Sequence, residues 1–360
     1  SCARSVPDIF SEQFITLPPW SLRHKTDGTI QKDLDDGIDT IGKKMTVCQL
    51  YAKQIRHRGN VRYNTKNGRK RLMKLLEEDK LGGCPIDSVK LSDAKEWAIR
   101  MKEKEISYKT ISNDKRSLKA AFYTAIQDDC IRKNPFDFQL NTVIEDDTEP
   151  KVPLTPAQEE SFLSFAQNDK VYQKYYDELI ILLGTGLRIS ELCGLTDTDI
   201  DFENRIINVD HQLLRSAETG YYIETPKTKS GIRQIPMSEK VYEAFNRVLK
   251  RRRGAKAVTI DGYSNFLFLN RDGYPKTATN YDGMFRGLAK KYNKYHEEAL
   301  PKVMTPHTLR HTFCTNMANA GMNPKALQYI MGHSNITMTL NYYAHATFDS
   351  AKAEMLRIAA

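Results

Sequence analysis

The chain predicts a mainly α protein of two domains, with a mixed α/β second domain that carries a small antiparallel sheet. Three observations lead there. From Thr46 to about residue 133, apolar residues recur three and four apart, the period of amphipathic helices. Between residues 205 and 237 the period changes to two, as in half-buried strands. Between these regions NTVIEDDTEPKVPLTP is acidic, contains Pro150 and Pro153, and has no periodicity, which reads as a linker.

Residues 1–45 show no clear pattern; IQKDLDDGIDTIGKKM is expected to begin a short helix and turn at Gly42. TVCQLYAKQI, TKNGRKRLMKLLEED, LSDAKEWAIRMKEK and SYKTISNDKRSLKAAFYTAIQDDCI predict a bundle of four helices over 46–145, with Ser92 and Ser107 as N-caps. Asn134-Pro135 is expected to stop the last of them. The linker is placed at 146–154 and the second domain at 155–360, opened by Thr155-Pro156 as a cap. There TPAQEESFLSFAQ and YQKYYDELIILLGTG read as helices, the latter ending at Gly184 to Gly186. RIINVDHQLL and GYYIETPKTKSGIRQIPM read as strands, with YIETPK and IRQIPM forming a hairpin about Thr228 to Gly231. VYEAFNRVLKRRR reads as an amphipathic helix and NFLFLN as a short strand. Helices follow in ATNYDGMFRGLAKKYNKY, TPHTLRHTFCTNMANA, NPKALQYIMG and NITMTLNYYAHA. In these, Pro306 and Pro324 suit a first turn, and Gly321 and Gly332 suit helix ends.

With 360 residues, 40% hydrophobic and 28% charged, the composition is that of a soluble protein with room for two cores. No apolar run reaches the length of a membrane span, and SCARSVPDIFSEQF lacks the basic-then-apolar start of a secretion signal. The six cysteines are scattered with no C-x-x-C pair, which suits reduced thiols in a cytosolic protein. The net charge of +9 is unevenly spread: residues 46–145 hold 21 Lys/Arg against 13 Asp/Glu, or +8, while 1–45 carry −1 and 146–360 carry +2. A basic excess confined to one segment is either an electrostatic footprint for nucleic acid or a solvated surface.

Thr305 to Tyr343 holds His307, Arg310, His333, Tyr342 and Tyr343, and TGLRISELCGL supplies Arg188 in an apolar setting. Separated arginines, two histidines and a late tyrosine suit attack of a tyrosine hydroxyl on a phosphodiester. Guanidinium forks grip phosphate oxygens, imidazoles handle protons near neutral pH, and tyrosine leaves a covalent intermediate. Arg188 stands at the expected start of a helix, a setting that favours phosphate; its bland alternative is a pair with Glu191. His307 and Arg310 lie three apart on one helix face. His311 mimics a zinc pair with His307, but H-T-L-R-H lacks the glutamate of H-E-x-x-H, so His311 reads as packing. No G-x-x-x-x-G-K-[ST] and no obvious carboxylate cluster for two metals is present, so neither cofactor nor metal is expected.

TGLRISE, HTLRHTF and MGHSNITMTLNYY, in that order and with nine residues from His333 to Tyr342, resemble the boxes of the tyrosine recombinase (phage integrase) family. The likeness runs over about 46–350 and is nearest to integrases of conjugative transposons from Gram-positive bacteria, where IQDDCIRKNPFDFQL and MTLNYYAHATFDSA read much the same. The resemblance implies a two-domain DNA clamp, a helical core-binding domain plus a catalytic domain. It implies that Arg188, His307, Arg310 and His333 hold the scissile phosphate, supported by Glu191, and that Tyr342 attacks it to leave a 3′-phosphotyrosine. The spacing favours Tyr342, whereas Tyr343-Ala344-His345 would fit a tyrosine-x-histidine pattern seen in some relatives. A lysine on a hairpin would protonate the departing 5′-oxygen: Lys227 is chosen, with Lys229 the other occupant of that turn and assigned to backbone contact. Lys66, Arg69, Lys70, Lys109, Lys115, Arg116 and Lys119 are the candidate DNA contacts of the helical domain. The resemblance further implies double-stranded DNA at transposon ends and target sites, and a homo-tetramer on paired sites. An excisionase, a host DNA-bending protein and a bacterial cytoplasmic, nucleoid-associated setting are implied too. The family's N-terminal arm-binding domain is not found in 1–45, and AHATFDSAKAEMLRIAA is a candidate for docking on a neighbouring protomer. A type IB topoisomerase would use similar residues, and a DNA-binding regulator would need none of them to react.

Overall fold

A computed structural model describes residues 42–59, 61–149, 152–226, 228–252, 258–343 and 355. The expectations for residues 1–41, for Lys227 and for the tail after Tyr343, Met355 apart, lie outside the described residues. The chain divides into two compact units, Ser1–Glu149 and Pro150–Ala360. Its fold is mainly α with small antiparallel sheets in the second unit, in line with the sequence.

In the first unit, Gly42–Lys44 forms one 3-10 turn and four helices follow: α1 (Val47–His57), α2 (Tyr63–Glu77), α3 (Leu91–Glu103) and α4 (Tyr108–Gln127). The capping chemistry explains three of the starts. Thr46 and Gln49 bond each other's main chain ahead of α1; Ser107 accepts from Thr110 N at 3.4 Å. Before α3 the cap is Lys90, not Ser92: its N–H donates to the Asp93 carboxylate at 2.8 Å, so the acid, not the serine, fixes the end. Likewise α4 ends at Gln127, seven residues before Asn134-Pro135; that dipeptide instead shapes a turn in which Phe136 N donates to Asn134 Oδ1. The turn drives Phe136 into the bundle, 5.7 Å edge-on from buried Trp97 and 5.4 Å from Phe122. Burying aromatics of this size is worth roughly 2–3 kcal/mol each. Asp147 closes this unit by pairing with Lys102 and accepting from Tyr108 N.

The second unit begins when Leu154 N donates to the buried Thr312 hydroxyl at 2.9 Å. It holds α5 (Pro156–Asn168), α6 (Tyr176–Thr185), α7 (Ile189–Gly194), β1 (Ile200–Asp201), β2 (Ile206–Val209), β3 (Gln212–Ser216), β4 (Gly220–Glu224) and β5 (Arg233–Pro236). Beyond them lie α8 (Glu239–Arg252), α9 (Ala278–Tyr295), α10 (Pro306–Asn319), α11 (Pro324–Met331) and α12 (Thr337–Leu340). α6 is apolar on nearly every side and forms the centre, between α8 and α10. Its two buried acids are matched: Asp177 pairs with Arg247 and Arg251, and Glu178 with Lys276 and the Tyr281 hydroxyl.

The strands differ from the sequence reading. β4 and β5 do not pair with each other. β4 pairs with β3, through Ser216↔Gly220, while β5 joins β2 and β1 in a separate three-stranded sheet. Thr228 to Gly231 is thus a crossing between sheets, with a 3-10 turn at Lys229–Gly231. RIINVDHQLL breaks at Asp210-His211, because buried His211 turns inward to bond the Gly194 carbonyl at 2.8 Å and Asp210 at 2.6 Å. NFLFLN is no strand; Phe266 and Leu269 make isolated bridges to Thr196 and Pro275.

Candidate active site

Four chain ends meet around one cluster. α6 stops at Gly186, which is left-handed at φ +63°; a Cβ there would meet the Phe313 ring at 2.4 Å. Two residues on, Arg188 is the N-cap of α7. Its own N–H donates to Glu191 Oε2 at 2.8 Å, its Nη1 to Oε1 at 2.6 Å, and its Nη2 to the Gly332 carbonyl at 3.0 Å. The helix is a single short stretch of six residues, and the N–H of its cap already serves Glu191, so the guanidinium rather than the helix end carries the charge here.

Pro306 starts α10 and places His307 and Arg310 one turn apart. His307 is exposed, whereas Arg310 is buried. Arg310 donates through Nη1 to the Gly186 carbonyl at 2.6 Å and through Nη2 to the Met331 carbonyl. α11 ends at Gly332 with φ +59°, and the chain then turns His333 inward, its N–H on the Gln328 carbonyl and its Nδ1 3.0 Å from the buried Thr339 hydroxyl. Tyr342 and Tyr343 follow α12. The Tyr342 ring lies 4.8 Å from the His311 ring, and its hydroxyl makes no hydrogen bond among the described residues. The Tyr343 hydroxyl donates to the Met322 carbonyl at 2.5 Å, so it is committed to holding α10, α11 and the final turn together.

One group went unnoticed in the sequence. Arg233 is buried and bidentate on Glu191, at 2.9 and 3.1 Å, and also donates to the Ile330 and Gly231 carbonyls. It joins β5, the Lys229 turn, the end of α11 and, through Glu191, Arg188. The signal was present: Arg233 falls in phase with inward-facing Ile235 and Met237, and an arginine at a core position needs a buried partner. Thr339, equally buried, gave no signal beyond its place three residues before Tyr342.

The electrostatics follow from this packing. Burial by itself would raise the Glu191 carboxyl, but the Arg233 hydrogen bonds and the charges of Arg233, Arg188 and Arg310 outweigh it and hold it at about 2. Burial first, then Arg188, bring Arg310 down to about 9, still a cation at neutral pH. Burial, then Arg310, Arg188, Arg233 and His307, lower His333 to about 4, so its ring is neutral. Burial and Cys314 raise Tyr342, while Arg310 acts in the opposite sense and favours the phenolate. The cluster therefore offers three guanidiniums around one carboxylate, a net cationic seat beside an uncommitted phenol.

The remaining candidates are dispersed. Lys229 lies exposed on its 3-10 turn. In the first unit Lys66, Arg69 and Lys70 share one face of α2, and Lys66 and Lys109 are exposed with no ion pair among the described residues. Arg116 bonds Asn113 at 3.3 Å. Lys115 and Lys119 are turned to their own loop, on the Phe138 carbonyl and on Asp137 at 2.5 Å, where they hold the Phe136 segment to α4. Among the described residues one group, Asp199, Asp210 and His211, brings three possible metal ligands within 4.8 Å of one another. Its atoms are already engaged, Asp199 with Thr196 and His211 with Gly194 and Asp210, as a structural knot. The described cysteines are free thiols, and no described helix is long and apolar enough to cross a membrane.

A guanidinium cluster with a tyrosine at its edge, on a helical domain with two small sheets, defines a class. The profile of the phage integrase family matches residues 153–350. The transposase from transposon Tn916 of Enterococcus faecalis is 68% identical over 338 residues, 94% of this chain and 83% of that protein. The tyrosine recombinase XerC of Bacillus subtilis is 27% identical over 71% of this chain and 74% of its own length. A solved structure of the Tn1549 transposon integrase in complex with transposon right end DNA is 78% identical, with a TM-score of 0.83 over 88% of this chain and 100% of that one. A lambda integrase dimer bound to a core site, 15% identical with a TM-score of 0.59 over 90% of this chain and 84% of that one, shares the fold. The chain belongs to the phage integrase family. Within it, the chain is a tyrosine recombinase of the transposon-integrase kind, an enzyme of DNA integration and excision.

Proposed function

We propose that Arg188, Arg310, His307 and His333 hold the scissile phosphate of duplex DNA at transposon ends and targets, and that Tyr342 is the nucleophile. The Tyr342 hydroxyl gives up its proton to solvent as its oxygen bonds to phosphorus, the bond from phosphorus to the 5′-oxygen breaks, and that oxygen leaves with a proton from Lys227. The 5′-hydroxyl of a second duplex then attacks the phosphotyrosine and frees the tyrosine. The guanidiniums stabilise the charge on the non-bridging oxygens throughout. Glu191 and Arg233 orient them. The observation that carries this reading is the contrast between neighbours: the Tyr343 hydroxyl is bound to Met322, whereas Tyr342 sits against the cationic cluster with its hydroxyl uncommitted.

Solved Tn1549 integrase complexes support the choice of residue types, since one carries a tyrosine-to-phenylalanine change and two an arginine-to-lysine change. Residues 46–145 would supply sequence-independent contacts, led by Lys66, Arg69, Lys70, Lys109 and Arg116, and Lys229 would touch the backbone near the cut. The active assembly would be a homo-tetramer on paired sites in the bacterial cytoplasm and nucleoid, directed by an excisionase and a host DNA-bending protein.

The test is covalent trapping on a nicked suicide substrate, read as a protein–DNA adduct on a denaturing gel. The wild type should form it, Tyr342→Phe should not, and excess EDTA should leave it intact. An adduct mapped to Tyr343, or one that needs added magnesium, refutes the assignment.

A further inference from the structure

We infer that Thr339 is a positioning residue: it fixes His333 in the Nε2–H tautomer and ties that imidazole to the turn bearing Tyr342. This inference rests on the proposed site. Thr339 is fully buried, and its hydroxyl has a single hydrogen-bond partner among the described residues, His333 Nδ1 at 3.0 Å. Two arrangements fit that distance. In one, Nδ1–H donates to the threonine oxygen, and the threonine proton is left in a dry site with no acceptor. In the other, the threonine donates to a bare Nδ1, and the hydroxyl proton is satisfied. Buried hydroxyls do not leave their protons idle, so the second arrangement holds.

A neutral imidazole carries one N–H, and here it is on Nε2. Burial and the charges of Arg310, Arg188, Arg233 and His307 keep the ring neutral, so the proton stays where Thr339 puts it. The ring thereby acts toward phosphate as a hydrogen-bond donor. It has no free lone pair with which to take the Tyr342 proton. The same threonine reaches the nucleophile by a second route: its carbonyl accepts the Tyr342 N–H at 3.0 Å. One residue thus sets the ring that holds the phosphate and the turn that carries the attacking oxygen.

Two measurements on the full chain test this. In histidine-15N-labelled protein, long-range 15N–1H correlations should show His333, identified by its loss in His333→Gln, as the Nε2–H tautomer. Thr339→Ser should preserve that pattern and Thr339→Val, of equal shape but without the hydroxyl, should lose it. An Nδ1–H tautomer in the wild type, or no change in Thr339→Val, overturns the inference. In single-turnover trapping, Thr339→Val should form adduct about tenfold or more slowly, with Thr339→Ser restoring most of the rate. Added to His333→Ala, Thr339→Val should slow the reaction no further, because the coupling partner is gone. Equal slowing in both backgrounds would mean that the threonine acts through packing alone, and would also overturn it. Failure of the proposed site would look different: the wild type would form no adduct, while the tautomer pattern would still be readable.

Discussion

Tyr343→Phe removes one hydrogen bond, to the Met322 carbonyl, and should lower stability by about 1 kcal/mol while adduct formation persists. Tyr342→Phe should leave stability nearly unchanged and abolish the adduct; unfolding curves and trapping gels together separate these outcomes. Arg233→Met should be far more damaging, about 3–5 kcal/mol by urea denaturation, because it leaves the buried Glu191 with Arg188 as its one remaining ion pair among the described residues. If Arg233→Met melts like the wild type, the Glu191 cluster is not what holds the site. The pH dependence has a defined sign. Glu191 is held at about 2 against an ordinary 4.5, so its contribution is complete above 4.5 and is lost as pH falls toward 2, a difference of roughly 3 kcal/mol. His333 is lowered to about 4 from 6.5, so the folded ring resists protonation and stability declines as pH falls from 6.5 toward 4. Urea midpoints at pH 7.5, 6, 5 and 4 should therefore fall steadily, and His333→Gln should flatten the upper part of that slope. An unchanged slope in that variant would remove His333 as its source.

At the level of elements, Gly332→Ala combines two penalties: φ +59° and a Cβ at 3.0 Å from the Ser230 carbonyl and 3.1 Å from Arg233. The expected cost is about 1–3 kcal/mol, with slower cleavage because the Lys229 turn must give way; a thermal melt and a trapping time course check both. This glycine illustrates what a sequence shows well. Helix ends are written in local chemistry, so Thr155-Pro156, Ser107, Gly186 and Gly332 fall where expected. Ser92 failed because the neighbouring Asp93 is the better acceptor for a backbone N–H. Strand partners are another matter. Alternation tells which face a residue occupies, not which strand lies beside it, so the β4–β5 pairing inferred from proximity lost to β3–β4 and β2–β5. The same limit hid Arg233: its partner Glu191 is 42 residues away, and only the closed fold makes the pair visible.

For the whole molecule, the basic excess of residues 46–145 gives a prediction for the full chain. Lys66→Glu with Lys109→Glu should weaken binding to any duplex and reduce the slope of log affinity against log salt by about 0.9 for each phosphate no longer neutralised. Lys119→Glu should instead loosen the Phe136 loop, seen as lower thermal stability with little change in that slope. Salt titrations by fluorescence anisotropy distinguish the two, and an unaltered slope in the double variant would make the charge excess a solvated surface. The catalytic cluster has a consequence of another kind. Its arginines rest on carbonyls from Gly186, Ile330, Met331 and Gly332, segments separated by more than a hundred residues of chain. No short stretch can therefore assemble this cluster by itself. A chain that ends before Met331 lacks the carbonyls on which Arg188 and Arg310 lean, so the cluster closes only when the last tenth of the sequence has been added.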